Sequence, residues 1–399
     1  MSATADIGIP PATSKRQEPW RDRLVILSLW IWCALLSYPL FAVTRIEATT
    51  NEVLVYQTTG LLQFVIVALA IVHARVASAL IGYSAFQATI VVVILLSLAL
   101  QFHGPEASIL EGIAYTVALL LAISCVSAVW TLQLDALVIC LGGIAVIFAT
   151  FGICAVAAFG WPEGRVVGSI HPNAFGSIML TGFILSQFRG GPVMLGVRVA
   201  CLVIAAAVSS RFAIVGCFLA FLVFELSYRP LGSRLVLFTL TAAFCLQLFP
   251  RFLTDLLALD DPSRNSASGF TGRETLWNLA LAATANAPFG LGFKRPPLDI
   301  SGHNGYLRLL LEFGMLGGGL IIASIASIVA KAMIDASLFA PSDDRLRRFA
   351  CARAAGLTAL AFASFFQPQL FNLGDIHGLA VILMLFSPGI GPEKRLKPA

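Results

Sequence analysis

The sequence predicts an all-α, polytopic integral membrane protein with about 12 transmembrane helices and one long external loop carrying short helices. Composition is the first sign: only 12% of the 399 residues are charged and 58% are hydrophobic, against roughly 25% charged in a soluble domain. Mean hydropathy is +0.88, so the chain cannot cover its own surface with polar groups and must use lipid as solvent. Apolar runs long enough to cross a bilayer, about 17–25 residues, recur along the whole chain. No repeat or low-complexity linker divides them, so residues 1–399 read as a single membrane domain. The net charge of +5 is scattered at segment ends, which makes membrane lipids expected partners and nucleic acid not.

Hydropathy windows of about 19 residues place the spans near 24–43, 53–73, 79–100, 109–129, 134–159, 172–188, 192–208, 211–227, 231–249, 304–330, 349–366 and 372–387. No small-residue cleavage site follows the first span, so it reads as an anchor rather than a removed signal peptide. Residues 1–23 and 388–399 are then polar tails. Lysine and arginine in the connections set the orientation. One side holds Lys15, Arg16, Arg21, Arg23, Arg75, Arg189, Arg229, Arg234, Lys331, Arg345, Arg347, Arg348, Lys394, Arg395 and Lys397; the short loops opposite hold Arg45, Arg165 and Arg211. Both termini are therefore expected in the cytoplasm, and the long connection over 250–302 outside it.

That loop carries two helix-like pieces. "FLTDLLAL" has the pattern of a short interfacial helix. "GRETLWNLALAATAN" puts Leu276, Leu279, Ala280 and Ala283 on one apolar face, with Arg273 and Glu274 in the first turn, where backbone N–H groups lack partners. "APFGLGF" then breaks the pattern, and its glycines allow close backbone approach. "SGHNGYLRLLLEFGMLGGGL" follows: His303 and Asn304 stand at the mouth of the next span. Arg308 and Glu312, four apart, are expected to pair on a face away from His303. Gly314, Gly317, Gly318 and Gly319 read as close helix packing. Upstream, "VSSRFA" sets Arg211 in a tight turn between two spans. "HPNAFG" sets His171 and Asn173 around Pro172, which suits a first helical position.

The eight cysteines (Cys33, Cys125, Cys140, Cys154, Cys201, Cys217, Cys245 and Cys351) fall within or beside apolar spans and read as packing residues. With no Cys-x-x-Cys or paired-histidine spacing, no metal site and no cofactor is expected. His73, His103 and His377 stand near span ends without a partner motif and are assigned no role.

Taken in order, "HPNAFG" (171–176), "SSRF" (209–212), "TGRETLW" (271–277), "APFGLGF" (287–293) and "GHNGYL" (302–307) resemble the bacterial O-antigen ligase family, which includes surface-polysaccharide polymerases and exopolysaccharide-production proteins. The resemblance covers residues 161–320. It implies metal-independent glycosyl transfer from a polyprenyl-diphosphate-linked glycan to a sugar hydroxyl of lipid A-core or of a growing polysaccharide, at the periplasmic face of the inner membrane. It further implies that His303 is the general base and that Arg273 and Arg211 hold the diphosphate. Asn304, Lys294, Arg295, His171 and Asn173 are the remaining substrate-binding candidates. The loop of about fifty residues, 250–302, is shorter than in larger members, which bears on the acceptor.

These roles suit the chemistry. A sugar hydroxyl is a poor nucleophile until a base takes its proton, and a neutral imidazole does this near neutral pH. A leaving diphosphate gathers negative charge, for which arginine forks and helix N-termini are good partners. Each residue also has a plainer reading. His303 is then a polar helix-entry residue, Arg211 a side chain snorkelling to headgroups, and Arg273 a loop-helix cap or a partner of Asp260 or Asp261. Lys294 and Arg295 are solvated charge or lipid contacts, His171 shapes the loop before Pro172, and Asn304 caps the helix. O-antigen ligation is the leading reading and repeat-unit polymerisation the second. A transporter is the alternative from another class; it would place ionisable residues at mid-membrane, whereas Arg198 and Glu225 fall towards the cytoplasmic ends of their spans.

Overall fold

The computed structural model describes residues 23, 25–34, 84–101, 106–130, 132, 134–162, 167, 172–229, 233, 273–293, 304–338, 344–367, 370–371 and 376–387. The helices are α1 (Val25–Ala34), α2 (Ala85–Gln101), α3 (Glu106–Val129), α4 (Leu134–Phe159), α5 (Pro172–Ser186), α6 (Pro192–Ala207), α7 (Arg211–Tyr228), α8 (Arg273–Asn286), α9 (Gly305–Leu338), α10 (Asp344–Ala363) and α11 (Ile376–Leu385). Among the described residues the regular secondary structure is all helical. Three of these helices, α4, α7 and α9, are long and apolar enough to cross a membrane, and α1, α2, α6, α11 and the Gly112–Ser124 stretch of α3 are shorter apolar helices. The bounds of α4, α6 and α7 follow the hydropathy reading to within a residue, whereas α9 runs to Leu338 and α10 begins at Asp344, eight residues beyond and five residues before the expected ends. The expected spans over 53–73 and 231–249 and the interfacial piece "FLTDLLAL" lie outside the described residues.

Lipid is the solvent of this surface. Leu96, Val193, Leu195, Leu316 and Ile139 are all well exposed, a pattern that in water marks a contact face and here meets hydrocarbon. Inside, α5 is buried from Phe175 to Ser186, packed on α4, α6 and α7. The most extensive pairing is between α7 and α10. Small residues allow the close approaches: Gly143 lies against the Trp30 indole, Gly182 against Cys201 and Gly356 against Ile184, as expected where packing rather than hydrophobicity drives helix association. Cys33, Cys140, Cys201, Cys217 and Cys351 are buried, while Cys154 is exposed.

Contacts between helix ends sort the bundle into two ends. At one, Arg348 at the start of α10 donates to the carbonyl of Gln187 after α5 and stacks on Tyr228 at the end of α7. Arg345 pairs with Asp135 at the start of α4 at 2.9 Å. Also there, Gln87 near the start of α2 and the buried Arg353 both donate to the carbonyl of Ser387 beyond α11, satisfying helix-end carbonyls that have no partner of their own. At the other end, the α6–α7 turn meets the start of α5, and the start of α9 meets the end of α10.

One expected span needs correction. The continuous helix anticipated over 304–330 is broken at Gly314, which has φ 76° and ψ 177°. Residues 305–313 form a short half-helix, α9a, of about 13 Å at 1.5 Å per residue. Residues 315–338 form α9b, about 36 Å long and sufficient to span by itself. The two lie against each other: a Cβ on Gly318 would stand 2.6 Å from the carbonyl oxygen of Leu309, which a straight helix would hold two and a half turns away.

Candidate functional site

The break in α9 is filled by the turn that follows α8. Interrupting the helix at Gly314 removes the N–H partners of the carbonyls one turn earlier. The N–H of Leu291 donates to Leu311 O at 2.8 Å and that of Gly292 to Glu312 O at 3.0 Å, replacing them. This docking is possible only with glycine on both sides. Gly290 has φ 87° and Gly292 φ 98°, and a Cβ would fall 2.4 Å from Glu312 O on Gly290 and 2.1 Å from Pro288 O on Gly314. Phe293 stacks on Phe313 with ring centroids 5.8 Å apart, closing the clasp. "APFGLGF" is thus the piece that holds a discontinuous helix together.

α8 packs on α9 and presents small residues to it. Ala280 and Thr284 are buried while Leu279 is 57% exposed, so the buried face is rotated from the expected Leu276–Leu279–Ala280–Ala283 stripe. Close helix approach favours alanine and threonine over leucine. Arg273, the first residue of α8, is half-buried, and that burial lowers its guanidinium pKa from the ordinary range.

At the mouth of α9a, Asn304 is buried and its Oδ1 accepts the N–H groups of Tyr306 at 3.0 Å and Leu307 at 3.2 Å. Asn304 is therefore the N-cap. The N–H of Gly305 donates to Ser364 O at 2.8 Å, and a Cβ there would meet Gln367 O at 2.6 Å. Tyr306 Oη donates to Ala361 O at 2.7 Å. The first N–H groups of α9a are consequently engaged within the protein. A diphosphate near this entry would be met by side chains rather than by the helix end. Arg308 and Glu312 pair at 2.7 Å, and both are almost fully buried. Of the four glycines expected to mediate packing, Gly314 makes the break, Gly317 meets Val93 of α2 and Gly318 meets α9a, whereas Gly319 has nothing within 4 Å.

The two upstream motifs also meet. Ser209, at φ 46°, is the one non-glycine residue with positive φ among the described residues, a costly conformation in a two-residue turn. It turns the chain so that Ser210 packs on Gly176, whose Cβ position would lie 2.0 Å from Ser210 Oγ. Arg211, the next residue, opens α7 half-buried, and Asn173 lies half-buried in the first turn of α5. His303, Lys294, Arg295 and His171 lie outside the described residues.

One polar group escaped the sequence reading. His377 on α11 is fully buried with Nε2 3.2 Å from Ser364 Oγ, and it is Ser364 whose carbonyl receives Gly305. Neither residue has a motif or periodic partner, and only the meeting of α9a, α10 and α11 reveals the contact. No protein-family model matches the chain, and no curated protein matches it.

Proposed function

We propose that this protein is a metal-independent glycosyltransferase of the O-antigen ligase type, with about 12 spans, cytoplasmic termini and a site on the periplasmic side. In this reaction the acceptor hydroxyl oxygen bonds to the anomeric carbon of a polyprenyl-diphosphate-linked glycan while the bond from that carbon to the diphosphate oxygen breaks. His303 takes the hydroxyl proton as general base. Arg273 and Arg211 accompany the negative charge as it collects on the departing lipid diphosphate. Asn304 holds the helix entry that follows His303, and Lys294, Arg295, His171 and Asn173 line the approach.

One observation carries the reading. The helix opened by Arg273, the glycine turn 287–293 and the half-helix entered through Asn304 are interlocked into a single unit by the bonds from Leu291 and Gly292 to Leu311 and Glu312. Three of the five motif segments are thereby structurally dependent on one another, as a shared site requires, and the other two meet at Gly176 and Ser210. Both units lie at the end of the bundle away from the arginine-rich helix ends. The test is transfer of glycan from a polyprenyl diphosphate by the purified protein without metal. Release of polyprenyl diphosphate with the glycan on a sugar acceptor is expected; absence of transfer to every sugar acceptor would remove the reading. Ligation is favoured over polymerisation on overall resemblance. Deletion should then leave lipid-linked polymer of normal length, while accumulation of single repeat units identifies a polymerase.

A further inference from the structure

The arginine-rich end holds a cluster that the proposed reaction does not use. α5 ends just before Gln187, α6 begins at Pro192, α7 ends at Tyr228 and α10 begins at Asp344. Where they meet, Arg348 is fixed three ways. Its Nη1 donates to Gln187 O at 3.4 Å, and its guanidinium carbon lies 4.9 Å from the Tyr228 ring centroid and 5.4 Å from that of Phe224. Such stacking pre-organises a guanidinium for planar recognition. Arg198 on α6, half-buried with its Nε donating to Met194 O at 3.2 Å, lies within electrostatic reach of Arg348 and of Glu225.

The acids at this end are already engaged. Glu225 is paired with Arg229 and also attracts Arg198, Asp344 accepts the Tyr228 hydroxyl at 2.6 Å, and Asp135 pairs with Arg345. One carboxylate, Glu225, shared by Arg229 and Arg198 leaves Arg198 and Arg348 with excess positive charge, which a further anion would offset. Beside them, the Gln187 side-chain amide is fully buried with neither its oxygen nor its nitrogen paired, polar capacity that costs free energy while unused. An apolar stripe begins at the same place: Leu195, Val199 and Leu202 of α6 are 56%, 54% and 40% exposed, and their spacing of four and three puts them in one line down the helix.

We propose that this cluster binds the phosphate headgroup of an anionic glycerophospholipid, held between Arg198 and Arg348, with an acyl chain lying along Leu195, Val199 and Leu202. The charge pair selects a net-negative phosphate headgroup over a zwitterionic one, and the stripe selects a lipid over free phosphate. The full-length protein in detergent, mixed with phosphatidylglycerol or phosphatidylcholine and weighed intact by mass spectrometry, tests it. Phosphatidylglycerol should be retained about tenfold better, the scale of one charge-assisted hydrogen-bond set. Arg198→Gln should abolish that preference, and Arg345→Gln, at the same end but outside the cluster, should keep it. Leu195→Glu tests the same point without touching a buried contact, because a carboxylate one turn from Arg198 occupies its guanidinium; it too should abolish the preference. Equal retention of the two lipids, or an undiminished preference in both Arg198→Gln and Leu195→Glu, would overturn the proposal. Displacement of phosphatidylglycerol by millimolar inorganic phosphate would overturn the lipid assignment.

Discussion

The two ends of the bundle are built by different means. At the arginine-rich end, long side chains do the joining: Arg348 over two aromatic rings, Arg353 and Gln87 on the carbonyl of Ser387, Arg345 on Asp135. At the opposite end the joining is done by backbone meeting backbone, through Gly290, Gly305, Gly314 and Gly318. Side-chain joints are adaptable and individually replaceable. Backbone joints tolerate no added atom, and they position what they carry rigidly, which is what a reacting group needs. The contrast teaches where exact geometry is required, and the described motif segments of the proposed reaction fall at that end.

The largest expected effect is on turnover. His303→Ala should lower the rate of glycan transfer about 10²–10⁴-fold, the usual share of a general base, with little change in donor affinity or in melting temperature. Single-turnover kinetics together with donor binding check this, and a variant with wild-type rate would detach the chemistry from the backbone-joined end. Next comes the buried ion pair of α9a. Glu312→Leu leaves Arg308 buried without its carboxylate and should cost about 3–5 kcal/mol, whereas Arg308→Met with Glu312→Leu should recover most of the loss. Equilibrium unfolding of the two variants in detergent measures the difference; equal losses would mean that the pair is not coupled.

Gly314→Ala should follow at about 2–4 kcal/mol, from a positive φ imposed on alanine plus the collision with Pro288. Gly319→Ala, five residues on and facing open space, should be neutral or slightly stabilising in the same assay. If the two glycines respond alike, the break is not held as described. Smallest is Arg345→Ala at the other end. Both partners of that pair are about three-quarters exposed, so less than about 1 kcal/mol is expected, read as an unchanged melting temperature. A large drop there would erase the distinction between the ends.

Much of the fold was legible in the sequence for a simple reason. A helix surrounded by lipid must be apolar along its length and must end where polar residues begin, so hydropathy reports α4, α6 and α7 almost to the residue. The i,i+4 spacing of Arg308 and Glu312 likewise announced their pairing. Their burial was not announced, because it depends on how the rest of the bundle packs around α9a. Gly314 shows the limit most clearly. In sequence it is one of four glycines within six residues, inside an apolar run that looks continuous. Only the arrival of Pro288, Phe289 and Gly290 distinguishes it from Gly317, Gly318 and Gly319.

The sequence by itself determined the class of protein, the ends of α4, α6 and α7 and the order of its motifs, since these follow from local composition and short-range spacing. Tertiary structure alone decided that α9 is two helices, that Asn304 is a cap whose helix N–H groups are engaged, that α8 turns alanine and threonine rather than leucine inward, and that His377 meets Ser364. Each of these is a contact between segments far apart in the chain, set by which backbones come close enough to exclude a Cβ or to share a hydrogen bond, and no local pattern carries that information.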